Sequence, residues 1–154
     1  MNYYLYMSST DYHEEPHSIW KKDLVDEFNK QEEFKKDNVI TFIDPIQYFS
    51  MNPCVVSMDI QNLDMSNIVV FYIEKLSIGT LMELSYCTLS KYSQKKLYLI
   101  SNNKDVLEHP WIRNLVEHSD NNTPFSYVNL CNSPKDAVSK IVSDLNQITN
   151  HINQ

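Results

Sequence analysis

Glycine is nearly missing from this chain: Gly79 stands alone among 154 residues, where average usage gives roughly ten or eleven. Turns that depend on glycine's backbone freedom are therefore excluded almost everywhere, and Asn, Asp, Ser and Pro must supply them. The glycine-rich phosphate loops of dinucleotide-binding and P-loop folds are excluded with them. Arginine is as scarce, with Arg113 alone, and the net charge is −7. An extended nucleic-acid surface needs several clustered cations, so no nucleic-acid partner is expected. Cys54, Cys87 and Cys131 are odd in number and form no C-x-x-C pair, which favours reduced core thiols over a disulfide framework or a zinc site. No apolar run approaches the roughly 18 residues that cross a bilayer, so no membrane partner is expected either. The opening Met1–Tyr6 lacks the charged and apolar regions of a secretory signal, which makes the cytoplasm the expected location.

What is present is ordinary in bulk and ordered in pattern. Apolar residues make up 42% and charged residues 21%, close to globular averages. No repeat, linker or composition break divides the chain, so 1–154 reads as a single domain. Short apolar runs at Tyr3–Ser8, Val39–Ile43, Ile68–Ile73, Lys96–Ile100 and Phe125–Leu130 predict five strands. Ile68–Ile73, β-branched and aromatic throughout, reads as a strand buried on both faces. Between them the spacing predicts helices from Pro16 to about Lys36, with Ile19, Trp20, Leu24, Phe28 and Phe34 as its apolar positions, from Cys54 to Ser66, and from Gly79 or Thr80 to about Lys91. A short helix over His109–His118 and a last one from Pro134, with Ala137, Ile141, Leu145 and Ile148 on one face, complete the series. Such alternation defines an α/β, doubly wound, flavodoxin- or Rossmann-like fold: a five-stranded parallel sheet with helices on both faces. Ligands bind such sheets beyond the carboxyl ends of the strands, which singles out the junctions after Ser8, Ile43 and Ile73.

The junction after Ile73 holds the chain's one glycine, in Ser77-Ile78-Gly79-Thr80-Leu81-Met82-Glu83. Structurally, Thr80-x-x-Glu83 is a capping box that satisfies orphan N–H groups at a helix start. Chemically, a glutamate near a helix start leans back toward the mouth of the sheet, where the helix dipole favours its anionic, nucleophilic form. Gly79 would let a ligand approach the backbone closely.

The run Asp59-x₇-Asn67-Ile68-Val69-Val70-Phe71, then Ser77-x-Gly79-Thr80-x-x-Glu83-Leu84-x-Tyr86, then the strand Leu97–Ile100, resembles the nucleoside 2-deoxyribosyltransferase superfamily, which includes the 2'-deoxynucleoside 5'-phosphate N-hydrolases. The resemblance runs from Tyr3 to about Ser101 and includes the opening Tyr4-Leu5. It implies that Glu83 is a nucleophile that attacks the anomeric carbon of a deoxyriboside, forming a glycosyl ester that a second base or water resolves. It implies that Asp59 faces the nucleobase and handles the leaving group's proton, and that the Tyr4 hydroxyl orients the glutamate. Ser8, Ser9, Ser77, Gly79 and Thr80 would then bind substrate, with no cofactor and no metal. The expected partner is a small deoxynucleoside or deoxynucleotide, and the resemblance further implies a homo-oligomer. For Asp59 and Tyr4 the plain alternatives are a helix-surface carboxylate and a core aromatic.

Some residues depart from the pattern. Ser77 stands where many transferases carry aspartate, and serine cannot act as a general acid near neutral pH. Asn67 stands where aspartate is frequent. Both motivate a second reading, a nucleoside- or nucleotide-binding module without turnover. A flavodoxin-like or NAD-handling domain ranks last for want of a glycine-rich loop. Ser8-Ser9-Thr10 offers three hydroxyls to a phosphate, or simply ends a strand. His13-Glu14-Glu15-Pro16-His17 matches the H-E-x-x-H zinc pattern, but Pro16 breaks the continuous helix which that chemistry needs. Cys87, one turn past Glu83, reads as pocket lining or inert packing. His109-Pro110-Trp111-Ile112-Arg113 reads as a lid, an oligomer contact or a helix start, and Trp20 as a base-stacking or an anchoring residue.

Overall fold

The computed structural model describes residues 1–9, 17–45, 55–89, 95–117 and 128–152. Five strands, β1 (Asn2–Ser9), β2 (Val39–Ile43), β3 (Ile68–Tyr72), β4 (Lys96–Ile100) and β5 (Val128–Cys131), pair in parallel in the order β2-β1-β3-β4-β5. The helices are α1 (His17–Asn29), α2 (Glu32–Asp37), α3 (Val55–Met65), α4 (Ile78–Leu89), α5 (Lys104–Leu107), α6 (Pro110–Glu117) and α7 (Pro134–Ile152). This is the doubly wound α/β class that the alternation of runs predicts.

Side-chain alternation along the strands divides the core in two. Leu5 and Met7 of β1, with Ile68 and Val70 of β3, pack beneath Trp20, Leu24 and Phe28 of α1 and Ala137, Val138, Ile141 and Leu145 of α7. Tyr6, Val69 and Phe71 face the other way, under Leu63 of α3, Leu84 and Cys87 of α4, and Val106 and Ile112 from α5 and α6. Residues Ile68 to Phe71 are fully buried because both layers cover them, as a central parallel strand requires.

Two expectations are corrected. The helix predicted from Pro16 to Lys36 is two helices, broken at Lys30-Gln31, where Gln31 N–H turns back to the Phe28 carbonyl at 3.0 Å. Phe28 and Phe34 lie six residues apart, on different sides of an unbroken helix. The break lets both reach the core. Ile19, assigned to the apolar stripe, is 59% exposed, and its neighbour Trp20 takes the core position, stacked on Tyr72. At the last helix Ser133 Oγ accepts the Asp136 N–H at 3.2 Å, so Pro134 occupies the first helical position as expected. Cys54, Pro16, Lys91, His118, the predicted strand start at 125–127 and the Ile148 side chain lie outside the described residues.

The strand order reverses at β1. The chain leaves β1 for β2 on one side and returns to β3 on the other, so the carboxyl ends of β1 and β3 part at a topological switch point. Among the described residues, no helix is long and apolar enough to cross a membrane.

Leu24 is fully buried between α1, α7 and the sheet. Leu24→Ala is expected to cost about 2–5 kcal/mol through lost burial and the cavity left behind. Urea denaturation monitored by circular dichroism measures it, and a loss below about 1 kcal/mol would contradict this placement of the core.

Candidate functional site

The site begins with how α4 starts. Ser77 Oγ accepts the Thr80 N–H at 3.4 Å and donates to Thr80 Oγ1 at 3.1 Å, while the Ser77 carbonyl accepts the Leu81 N–H at 3.1 Å. Ser77 is therefore the cap, and helical geometry begins at Ile78. The capping-box reading of Thr80-x-x-Glu83 is corrected: the helix starts earlier, and Glu83 sits in its second turn with its carboxylate turned toward β1.

There it is held from two sides. Tyr6 donates its hydroxyl to Glu83 Oε1 at 3.0 Å, and Ser8 donates to Oε2. Both come from the same face of β1, two residues apart, as strand alternation dictates. Tyr6 Oη also lies 3.2 Å from Asp59 Oδ1 on α3. A phenol carries one proton, so two carboxyls compete for a single donor.

Burial dominates the electrostatics. Glu83 is 8% exposed, and desolvation pushes its pKa above the usual carboxylate value; the Ser8 and Tyr6 bonds and the Lys21 charge oppose this, and the Asp59 charge adds to it. Asp59 is raised as well, by burial against the Tyr6 bond. The expected helix-dipole stabilisation of the anion is not what governs Glu83, since that effect fades beyond the first turn. The Lys21 ammonium is buried and paired with Asp44, at the end of β2, at 2.6 Å.

Glu83, Asp59 and Gly79 line one cavity of about 780 Å³ between α3, α4 and α6, within the usual range of small-molecule sites. A Cβ built on Gly79 meets nothing within 4 Å, and its φ is not positive. The fold itself does not require this glycine. Its missing side chain leaves the wall open to an occupant.

The remaining expected residues separate. Ser8 reaches Glu83. Ser77 and Thr80 spend their hydroxyls on each other in the cap. Ser9 is buried but shares its parity with Leu5 and Met7, on the opposite face of the sheet. Tyr4 is a correction: its side chain is 39% exposed, and Tyr6 orients the glutamate. Both tyrosines project from the same face, but Tyr4 is two residues further back from the carboxyl end of the strand, about 7 Å at ordinary strand rise. Asn67 clamps the β1–β3 junction: its Oδ1 accepts the Tyr4 N–H at 3.0 Å and its N–H donates to the Tyr4 carbonyl at 2.9 Å. Cys87 is fully buried, its thiol pushed up to about 12 by desolvation, which makes it packing rather than chemistry.

Sequence reasoning passed over Tyr6 and the Lys21–Asp44 pair. The first had a signal, its place nearer the carboxyl end of β1; the second had none, since only the topology brings α1 to β2. Thr10 and His13–Pro16 lie outside the described residues. Among the described residues no cluster of His, Cys, Asp and Glu could hold a metal ion. Comparisons with family models, curated proteins and solved structures find no significant match to this chain.

Two stability measurements test this geometry. Gly79→Ala is expected to leave unfolding free energy unchanged or raised by up to about 1 kcal/mol, the helix-propensity gain; a loss of that size would contradict the open wall. The second concerns Glu83. Its folded pKa lies above its unfolded value, so the native state holds a proton that the unfolded chain has already released. Wild-type stability therefore falls as pH rises from the ordinary carboxylate value through the raised one. Glu83→Gln should be more stable than wild type at pH 7, by about 0.5–2 kcal/mol, with the gap closing toward pH 4. A wild type that is the more stable protein at pH 7 would contradict it.

Proposed function

We propose that this protein cleaves or transfers at the N-glycosidic bond of a 2'-deoxynucleoside or its 5'-monophosphate, in the manner of the nucleoside 2-deoxyribosyltransferase-like superfamily. The observation that carries the reading is the pair of carboxyls, Glu83 and Asp59, bridged by one hydroxyl on the wall of a cavity between α3, α4 and α6. Ionised Glu83 attacks the anomeric carbon as the bond from that carbon to the base nitrogen breaks. Asp59, protonated, gives its proton to the departing base. The resulting glycosyl ester is opened by water or by an acceptor base, with Asp59 taking a proton back. Two carboxyls spanned by a single hydroxyl favour this double displacement, because inversion requires room for a water and a separation of about 6.5–9.5 Å.

Both carboxyls are raised, Glu83 under the deeper burial, so the roles require that bound substrate leave the shared proton on Asp59. A shared environment that raises both carboxyls keeps one proton on the pair at a pH where isolated carboxyls have lost theirs, and a nucleophile beside an acid needs that state. A second reading, binding without turnover, is favoured by Ser77, whose hydroxyl the helix cap consumes.

Incubation with deoxynucleosides and a free acceptor base, followed by chromatography, tests the reading. Free deoxyribose marks a hydrolase and a new nucleoside marks a transferase; Glu83→Ala should abolish either, and cleavage that survives it would sink the proposal. Ligand-dependent stabilisation without products would instead identify the binding module. The pH profile should be bell-shaped. Because the Tyr6 bond lowers both carboxyls, Tyr6→Phe should move both limbs to higher pH. Its maximal rate should fall by about tenfold to a hundredfold, and unshifted limbs would contradict the bridge.

A further inference from the structure

We propose that His109 and Trp111 form a recognition subsite for a planar nitrogen heterocycle on the α6 wall of the cavity. The inference rests on the glycosidic-bond reading, for which the heterocycle is the departing nucleobase, but it uses side chains of a different wall from Glu83.

His109 sits between α5 and α6 with its backbone fixed on both sides: its N–H donates to the Val106 carbonyl at 3.2 Å, and its carbonyl accepts the Arg113 N–H at 2.9 Å. The ring lines the same cavity as Asp59 and Glu83. Its Nδ1 is closed off from solvent and has no hydrogen-bond partner among the described residues. A buried N–H without an acceptor is worse placed than a buried lone pair, so Nδ1 is the unprotonated nitrogen and the proton rests on Nε2. Nε2 is not closed off in this way and has no partner among the described residues, so its N–H is available to a ligand. Elsewhere in the cavity, on α3 and α4, Tyr86 gives its hydroxyl to Asp64 at 2.7 Å, Asp59 accepts from Tyr6, and Glu83 accepts from Tyr6 and Ser8.

Trp111, two residues on, supplies the complementary surface. Its indole is 66% exposed while lining the cavity, and the adjacent Ile112 is buried and anchors α6 to the sheet. The indole therefore contributes little to the core and leaves an aromatic surface available in the cavity that His109 also lines. A flat ring with an in-plane acceptor, such as a purine or pyrimidine, satisfies both, by stacking on Trp111 and accepting from Nε2. A hydrogen bond to a ring nitrogen or carbonyl also draws charge from the base and eases its departure, so the pair would set base preference.

Free nucleobases carry no glycosidic bond and test the subsite without turnover. Adenine, hypoxanthine, cytosine and thymine are titrated calorimetrically into the wild type and the His109→Ala, His109→Gln, Trp111→Ala and Glu83→Gln variants, with the histidine ¹⁵N resonances followed in parallel. At least one base should bind and shift the Nε2 resonance. His109→Ala should weaken that base by about threefold to tenfold, with partial recovery in His109→Gln, which keeps a donor. Trp111→Ala should weaken it by at least tenfold, and a loss in these two variants larger than in Glu83→Gln assigns base recognition to this wall. Failure of every base to bind the wild type, or unchanged affinity in both His109→Ala and Trp111→Ala, overturns the subsite. Bases that bind through His109 in a protein that cleaves no deoxynucleoside uphold the subsite and refute the glycosidic reading. Cleavage with the same KM for every base in both variants does the reverse.

Discussion

The hydroxyl of Tyr6 lies between two carboxyls, and most of what distinguishes this fold follows from keeping it there. Its distances to Glu83 and Asp59, 3.0 and 3.2 Å, require three elements to converge: β1 for the phenol, α4 for the glutamate and α3 for the aspartate. The parallel β1–β3 register and the Asn67 clamp at their junction fix the first against the strand that joins the other two. The Ser77 cap sets where α4 begins, and so which turn of the helix carries Glu83.

Such a cluster costs stability. A buried carboxylate is opposed by desolvation, and a second carboxyl on the same donor adds repulsion. The two hydroxyls and the nearby Lys21 offset only part of this, since the pKa of Glu83 remains raised. What tolerates the site is the covering of the sheet on both faces, with β3 wholly enclosed. Groups whose protonation is tuned by burial beside a like charge are characteristic of reacting centres, and a cavity of about 780 Å³ beside the pair gives a reactant room.

Much of the fold was legible because its strands are short, largely apolar runs bounded by breakers, and Ile68–Tyr72, β-branched and aromatic throughout, is the clearest of them. The break between α1 and α2 was hidden, because Phe28 and Phe34 fit a loose helical spacing that only packing resolves. Within the site, Glu83, Asp59 and Gly79 were legible as a motif tied to its strand. Tyr6 was displaced by one pleat repeat to Tyr4, since an apolar run does not declare which of its residues lies at the mouth. The Lys21–Asp44 pair and the meeting of His109 with Asp59 across one cavity depend on topology, which local pattern does not encode.

In the proposed reaction Glu83 takes up the sugar as a covalent ester. Intact-protein mass spectrometry of the acid-quenched protein, during turnover of a deoxynucleoside, tests it most directly. The expected result is a population heavier by one deoxyribosyl unit, mapped by peptide digestion to Glu83 and absent from Glu83→Gln. Turnover with no such adduct, or an adduct on another residue, would contradict it.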